Sequence, residues 1–221
     1  MGKSAKVAVI LSGCGVFDGA EIHESVLTLL ALERLGAAYQ CFAPDVEQAH
    51  VINHLSGDVA EGERRNVLVE AARIARGEIK PLSAFDAGDF DAIALPGGFG
   101  AAKNLSTFAF DGAACQVNPD LERALKDMVA AGKPIAALCI TPAIVARVLD
   151  GATVTIGSDQ GVADAIAAMG ATHTEATHGE VVIDQRYKLV TTPCYMLNAT
   201  VSQIADGAHN AMEAMLKLVE R

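Results

Sequence analysis

Short, wholly apolar runs alternate along the chain with stretches in which apolar positions recur every three or four residues. Residues 7–11 are all apolar and stop at Ser12-Gly13-Cys14-Gly15, the pattern of a central strand buried on both faces. After a loop holding Asp18 and Gly19, Ile22, Val26, Leu29, Leu30 and Leu35 fall at helical spacing, and Gly36 closes the helix. Residues 38–43 predict the next strand, ended by Pro44-Asp45. Strand, helix and strand in this order predict a βαβ unit with a right-handed crossover and a parallel sheet.

The same alternation continues. Residues 46–81 hold a turn or short hairpin near 53–58 and a helix over 64–77 with a glycine stop, an elaboration of the same domain. A buried strand at 92–95 runs into Pro96-Gly97-Gly98-Phe99-Gly100, and a helix over 119–131 leads to a strand that ends at Cys139. An amphipathic segment follows that cysteine with no room for a loop. Strands at 153–156, 181–183 and 189–191, a helix near 162–169 and a last helix over 199–219 complete the pattern. One α/β domain over residues 1–221 is expected, with a mostly parallel sheet covered by helices.

Composition narrows the partners. The hydrophobic fraction is 51% with no tryptophan, so the core is built from Ala, Val, Leu and Ile. A formal net charge of -10 repels a phosphate backbone, which argues against nucleic acid. Nothing in the chain resembles a basic amphipathic or membrane-spanning stretch, so a small molecule is the expected partner. The five cysteines, an odd number without paired spacing, read as thiols of a reducing compartment. With no secretion-signal pattern over residues 1–6, a cytoplasmic location is expected.

The strand-to-helix junction at Cys139 has the form of a nucleophile elbow, in which the Ile140 amide is free to bind an oxyanion. Buried free cysteine is also a common inert core residue, so position alone argues for chemistry here. Ligands of open α/β sheets bind at the carboxyl ends of the strands, where Gly97 and Gly98 are candidates for a second oxyanion donor. Phosphate-loop and dinucleotide patterns are missing from both glycine-rich stretches. The first turn of the first helix offers Glu21, His23 and Glu24; exposed carboxylates facing the helix dipole are the plain alternative for both glutamates. The elbow helix start is expected to lower the Cys139 pKa, and a carboxyl group to supply a base. No histidine follows Cys139, though His173 and His178 precede the late strands. Cysteine and histidine spacings fit no metal site.

Residues 9–16 with Asp18-Gly19 and Glu21-Ile22-His23-Glu24, residues 65–68 and 71–79, and residues 96–106 resemble the ElbB branch of the ThiJ/PfpI superfamily, whose members have been called isoprenoid-biosynthesis amidotransferase-like proteins, sigma cross-reacting proteins and glyoxalases. The resemblance implies a flavodoxin-like, class I glutamine amidotransferase-like fold: a three-layer sandwich around a sheet of six or seven strands. It further implies a homodimer and cofactor-free, glutathione-independent conversion of glyoxal or methylglyoxal to glycolate or lactate. In the superfamily pattern Cys139 is the nucleophile and a first-helix glutamate bonds it, with Glu24 the better match and Glu21 the other. Cys14, Asp18, Glu21 and His23 are candidate pocket residues. The chain lacks the downstream His-x-Glu pair of glutaminases and the Cys-His dyad of the peptidases. Two other readings stay open, a redox-sensing thiol at Cys139 and an amidotransferase-like accessory subunit.

Overall fold

The computed structural model describes residues 4–219, so the expectations for residues 1–3 and 220–221 lie outside the described residues. Its strands are β1 (Lys6–Ile10), β2 (Ala38–Ala43), β3 (Ile79–Pro81), β4 (Ala92–Leu95), β5 (Ile135–Leu138), β6 (Thr153–Val154), β7 (Thr172–His173), β8 (Val182–Asp184) and β9 (Leu189–Thr192). The helices are α1 (Ile22–Arg34), α2 (Val67–Ile74), α3 (Phe99–Lys103), α4 (Phe108–Asp111), α5 (Pro119–Ala130), α6 (Thr141–Val148), α7 (Gln160–Ala168) and α8 (Val201–Lys217).

Seven strands form the main sheet in the order β3-β2-β1-β4-β5-β9-β8, and β6 and β7 form a separate parallel pair. Every pairing in the main sheet is parallel except that of edge strand β8 with β9. Alternation along the strands sorts the core into two layers, because successive side chains point to opposite faces. Val7, Val9, Ala94, Ala136 and Leu138 pack with Leu32 of α1, Val67 of α2 and Met212 of α8. Ala8, Ile10, Ile93, Ile135 and Ala137 pack on the other face with Leu125 of α5, Ile144 of α6 and Ile166 of α7. The result is the three-layer, flavodoxin-like α/β sandwich that the sequence predicts.

Differences cluster in short elements. Strands β3 and β7, of three and two residues, are too short to carry a period. The helix expected over 64–77 begins only at Val67, because the Asn66 side chain caps it by accepting from the Val69 N–H at 3.0 Å. Strand order reverses between β1 and β4, so the crevice of this sheet opens above their carboxyl ends, beside β5.

Candidate functional site

The strand β5 ends at Leu138 and α6 starts at Thr141, leaving Cys139 and Ile140 to turn the chain. Cys139 takes a left-handed conformation with φ 62°. For a residue other than glycine that costs about 1–3 kcal/mol, so the surroundings must hold it. Two anchors do. The Cys139 N–H donates to the Thr192 carbonyl of β9 at 2.9 Å, continuing the β5–β9 ladder past the strand end. The buried Thr141 hydroxyl accepts from the Leu138 N–H at 2.9 Å and lies within donating distance of the carbonyls of Leu138 (2.8 Å) and Leu95 (2.9 Å). Thr141 thereby ties the elbow to the end of β4.

Around the Cys139 sulfur stand the backbone N–H groups of Gly98 and Ile140, which pull its pKa down, and the carboxyl group of Glu24, which pushes it up; a Cβ on Gly97 would meet both that sulfur, at 2.9 Å, and Glu24 Oε2, at 2.8 Å. The Glu24 carboxyl is fully buried and accepts two backbone N–H bonds, from Gly97 to Oε2 at 2.9 Å and from Tyr195 to Oε1 at 3.1 Å. One sequence assignment changes here. Gly97, grouped with the oxyanion donors, has its N–H committed to Glu24, so it positions the carboxylate while Gly98 and Ile140 face the sulfur. Gly97 must be glycine for another reason: a Cβ there would sit 2.4 Å from the Cys139 Cβ and 2.8 Å from Glu24 Oε2. At Gly98 the backbone is also left-handed, φ 100°, and a Cβ would meet the Glu21 nitrogen at 2.4 Å.

Glu21 and Glu24 have separate duties. Glu21 caps α1, its Oε2 accepting from the Glu24 N–H at 2.7 Å, while its own N–H donates to the Gly97 carbonyl at 2.9 Å. The start of α1 is thus fastened to the β4–α3 turn, and Glu24 is delivered to the sulfur. Burial raises the Glu24 pKa from 4.5 to about 7, against the pull of the Tyr195 and Gly97 N–H bonds. Burial, followed by the Glu24 charge, pushes the Cys139 thiol well above its ordinary value, and the Gly98 and Ile140 amides offset only part of that. The expected lowering by the helix start is therefore outweighed. Near neutral pH the site holds an un-ionised thiol against a carboxyl group near its own midpoint.

The other candidates sit farther out. His23 is exposed and shares a 2.8 Å hydrogen bond with the hydroxyl of Tyr195, the residue whose amide holds Glu24. Asp18 is buried, accepts from the Ile52 N–H at 2.7 Å and lies 3.8 Å from His54, so it ties the loop after β1 to residues 46–66. Half-exposed Cys14 has its pKa raised by burial and by the Glu70 charge. His173 lies on β7 and His178 in an exposed turn; no histidine is among the hydrogen-bond partners of Cys139 or Glu24. Sequence reasoning missed Tyr195 and Thr141. The one usable signal was a hydroxyl residue two places after the elbow cysteine. A groove of about 670 Å³ between β8 and α8, lined by Val182, Ile183, Asn210 and Glu213, includes none of these residues.

Residues 14–196, which take in Glu24 and Cys139, match the DJ-1/PfpI family profile. The chain belongs to the DJ-1/PfpI family. Among relatives, the human glutamine amidotransferase-like class 1 domain-containing protein 3, mitochondrial, is 50% identical over 97% of this chain and 84% of its own length. The rat ES1 protein homolog, mitochondrial, is 48% identical over the same shares. An isoprenoid biosynthesis protein with amidotransferase-like domain from Ehrlichia chaffeensis superposes with a TM-score of 0.92 at 34% identity, covering 98% of this chain and all of that one. Glyoxalase III from Candida albicans shares the fold, with a TM-score of 0.62 at 17% identity over 98% of each chain.

For this DJ-1/PfpI protein the cytoplasmic expectation is overturned, since the human and rat relatives are both named mitochondrial. Free thiols report a reducing environment and do not distinguish one reducing compartment from another.

Proposed function

We propose that the protein is a glutathione-independent glyoxalase that converts glyoxal, and by the same chemistry methylglyoxal, to the 2-hydroxy acid. The observation that carries this reading is the buried Glu24 carboxyl group standing beside the Cys139 sulfur, with the Gly98 and Ile140 amides near the same sulfur. A carboxyl group with a pKa of about 7 can take and return protons at neutral pH.

In the first step the Cys139 sulfur attacks one aldehyde carbon while Glu24 takes the thiol proton. The hemithioacetal oxyanion forms beside the two amides and then receives that proton, which frees Glu24 as a base. Glu24 next removes the hydrogen on the former aldehyde carbon and returns it to the neighbouring carbon. The hemithioacetal hydroxyl proton passes to the neighbouring oxygen, so the aldehyde is reduced to an alcohol as the thiol-bearing carbon is oxidised to a thioester. Water hydrolyses the thioester, releasing glycolate and the thiol. One glyoxal and one water give one glycolic acid, so no external oxidant or reductant enters.

Incubating the protein with glyoxal in the absence of glutathione and following glycolate by NMR tests the activity. An acid quench during turnover is expected to trap a hydroxylamine-sensitive glycolyl thioester on the Cys139 peptide. Absence of glycolate would reject the reading.

A further inference from the structure

A second cysteine ends the strand next to the elbow, and it plays no part in the chemistry above. Cys194 follows Thr192-Pro193 at the end of β9. Thr192 and Tyr195 bracket it closely, and both touch the elbow pair: the Thr192 carbonyl accepts the Cys139 N–H at 2.9 Å, and the Tyr195 N–H holds Glu24 Oε1 at 3.1 Å. Leu138 and Thr192 are partners in the β5–β9 register, so Cys194 lies one step beyond the position opposite Cys139. Past the strand ends the two chains turn, Cys194 opening a single 3-10 turn (Cys194–Met196), and the Glu24 carboxyl group acts on both thiols. Both cysteines are left-handed, with φ 62° and 43°, and both are buried in the same apolar layer between the sheet and helices α1 and α8.

We propose that Cys194 is the resolving thiol for an oxidised Cys139, so that hydroperoxide closes a reversible Cys139–Cys194 disulfide and switches the site off. In the first step Cys139 takes one oxygen from the hydroperoxide, giving a sulfenic acid and releasing an alcohol, or water from hydrogen peroxide. The Cys194 sulfur then attacks the sulfenic sulfur. The S–S bond forms, the S–O bond breaks, and the oxygen leaves as water with the Cys194 proton. Two thiols lose two electrons and the peroxide gains them. Burial and then the Glu24 charge push the Cys194 pKa well above its ordinary value, so its proton must be taken during the attack, and Glu24 is the base common to both sulfurs. The consequence is protection, because a disulfide halts oxidation before the irreversible sulfinic stage. The switch needs only oxidation of Cys139 and holds whether or not glyoxal is a substrate.

Treating the full chain with increasing hydrogen peroxide, alkylating it under denaturing conditions and mapping peptides by mass tests the switch. The wild type is expected to lose two of its five alkylatable thiols together, to yield a linked Cys139–Cys194 peptide, and to recover both on reduction. Cys194→Ala, with its thermal melt recorded in the reduced state, is expected to carry two added oxygens on Cys139 at doses where the wild type still recovers. If wild-type Cys139 gains two oxygens while Cys194 remains alkylatable, the proposal is overturned. It is equally overturned by a link from Cys139 to another cysteine, or by oxidation of Cys14 before Cys139.

Discussion

The carboxyl ends of β5 and β9 are neighbours, and each is followed within two residues by a buried cysteine in a left-handed conformation. Their surroundings differ. After β5 the sulfur meets two amide donors and a carboxyl group, whereas the Cys194 sulfur faces the α8 backbone, where a Cβ on Gly207 would lie 3.6 Å away. An elbow backbone therefore does not make a nucleophile. What makes one is the convergence of α1 and the β4–α3 turn on the sulfur, and β9 contributes to that convergence only through the Thr192 carbonyl and the Tyr195 amide.

Removing the base should expose this difference most strongly. Glu24→Gln is expected to lower kcat/KM for glyoxal by about 10²–10⁴-fold, while Glu21→Gln, which keeps an acceptor for the α1 cap, changes it by only a small factor. The wild-type rate should rise with pH through about 7, as Glu24 becomes the carboxylate that takes the thiol proton. The rise should vanish in Glu24→Gln; a rise that persists would assign the limb to another group.

Stability carries the opposite signature. The folded pKa of Glu24 lies above its ordinary 4.5, so between about 4.5 and 7 the folded state binds more protons than the unfolded state. Stability must then fall as pH rises through this window, by roughly 3 kcal/mol for this group, and stay level above it. Denaturant melts of the wild type and Glu24→Gln across that range check the slope, which the variant should lose. Thr141→Val leaves the Leu138 N–H without its acceptor and should cost about 1–3 kcal/mol. Tyr195→Phe removes only the exposed hydroxyl bond to His23, keeps the amide on Glu24, and should cost about 1 kcal/mol or less.

Elements with a full period, such as α1, β2 and α5, were legible in the sequence because burial on one stripe or both faces leaves a repeating mark. The short strands β3 and β7 leave no such mark. Cys139 was legible because an apolar run met a helix there, and Glu24 because its distance from Gly36 resembles a known pattern. Gly97 shows what was hidden: only the folded backbone reveals that its amide serves Glu24 and that its missing side chain makes room for Cys139. Tyr195 and Thr192 act through backbone atoms across strands, and backbone contacts place no constraint on residue type that a single sequence could display. The thiol pKa was misjudged for a related reason, since burial depends on every layer packed over the elbow.

The most direct test is glycolate formation from glyoxal measured side by side for the wild type, Cys139→Ala and Cys194→Ala under reducing conditions. Turnover should disappear in Cys139→Ala and persist in Cys194→Ala. A Cys139→Ala protein that forms glycolate at the wild-type rate would contradict the assignment of Cys139 as the nucleophile.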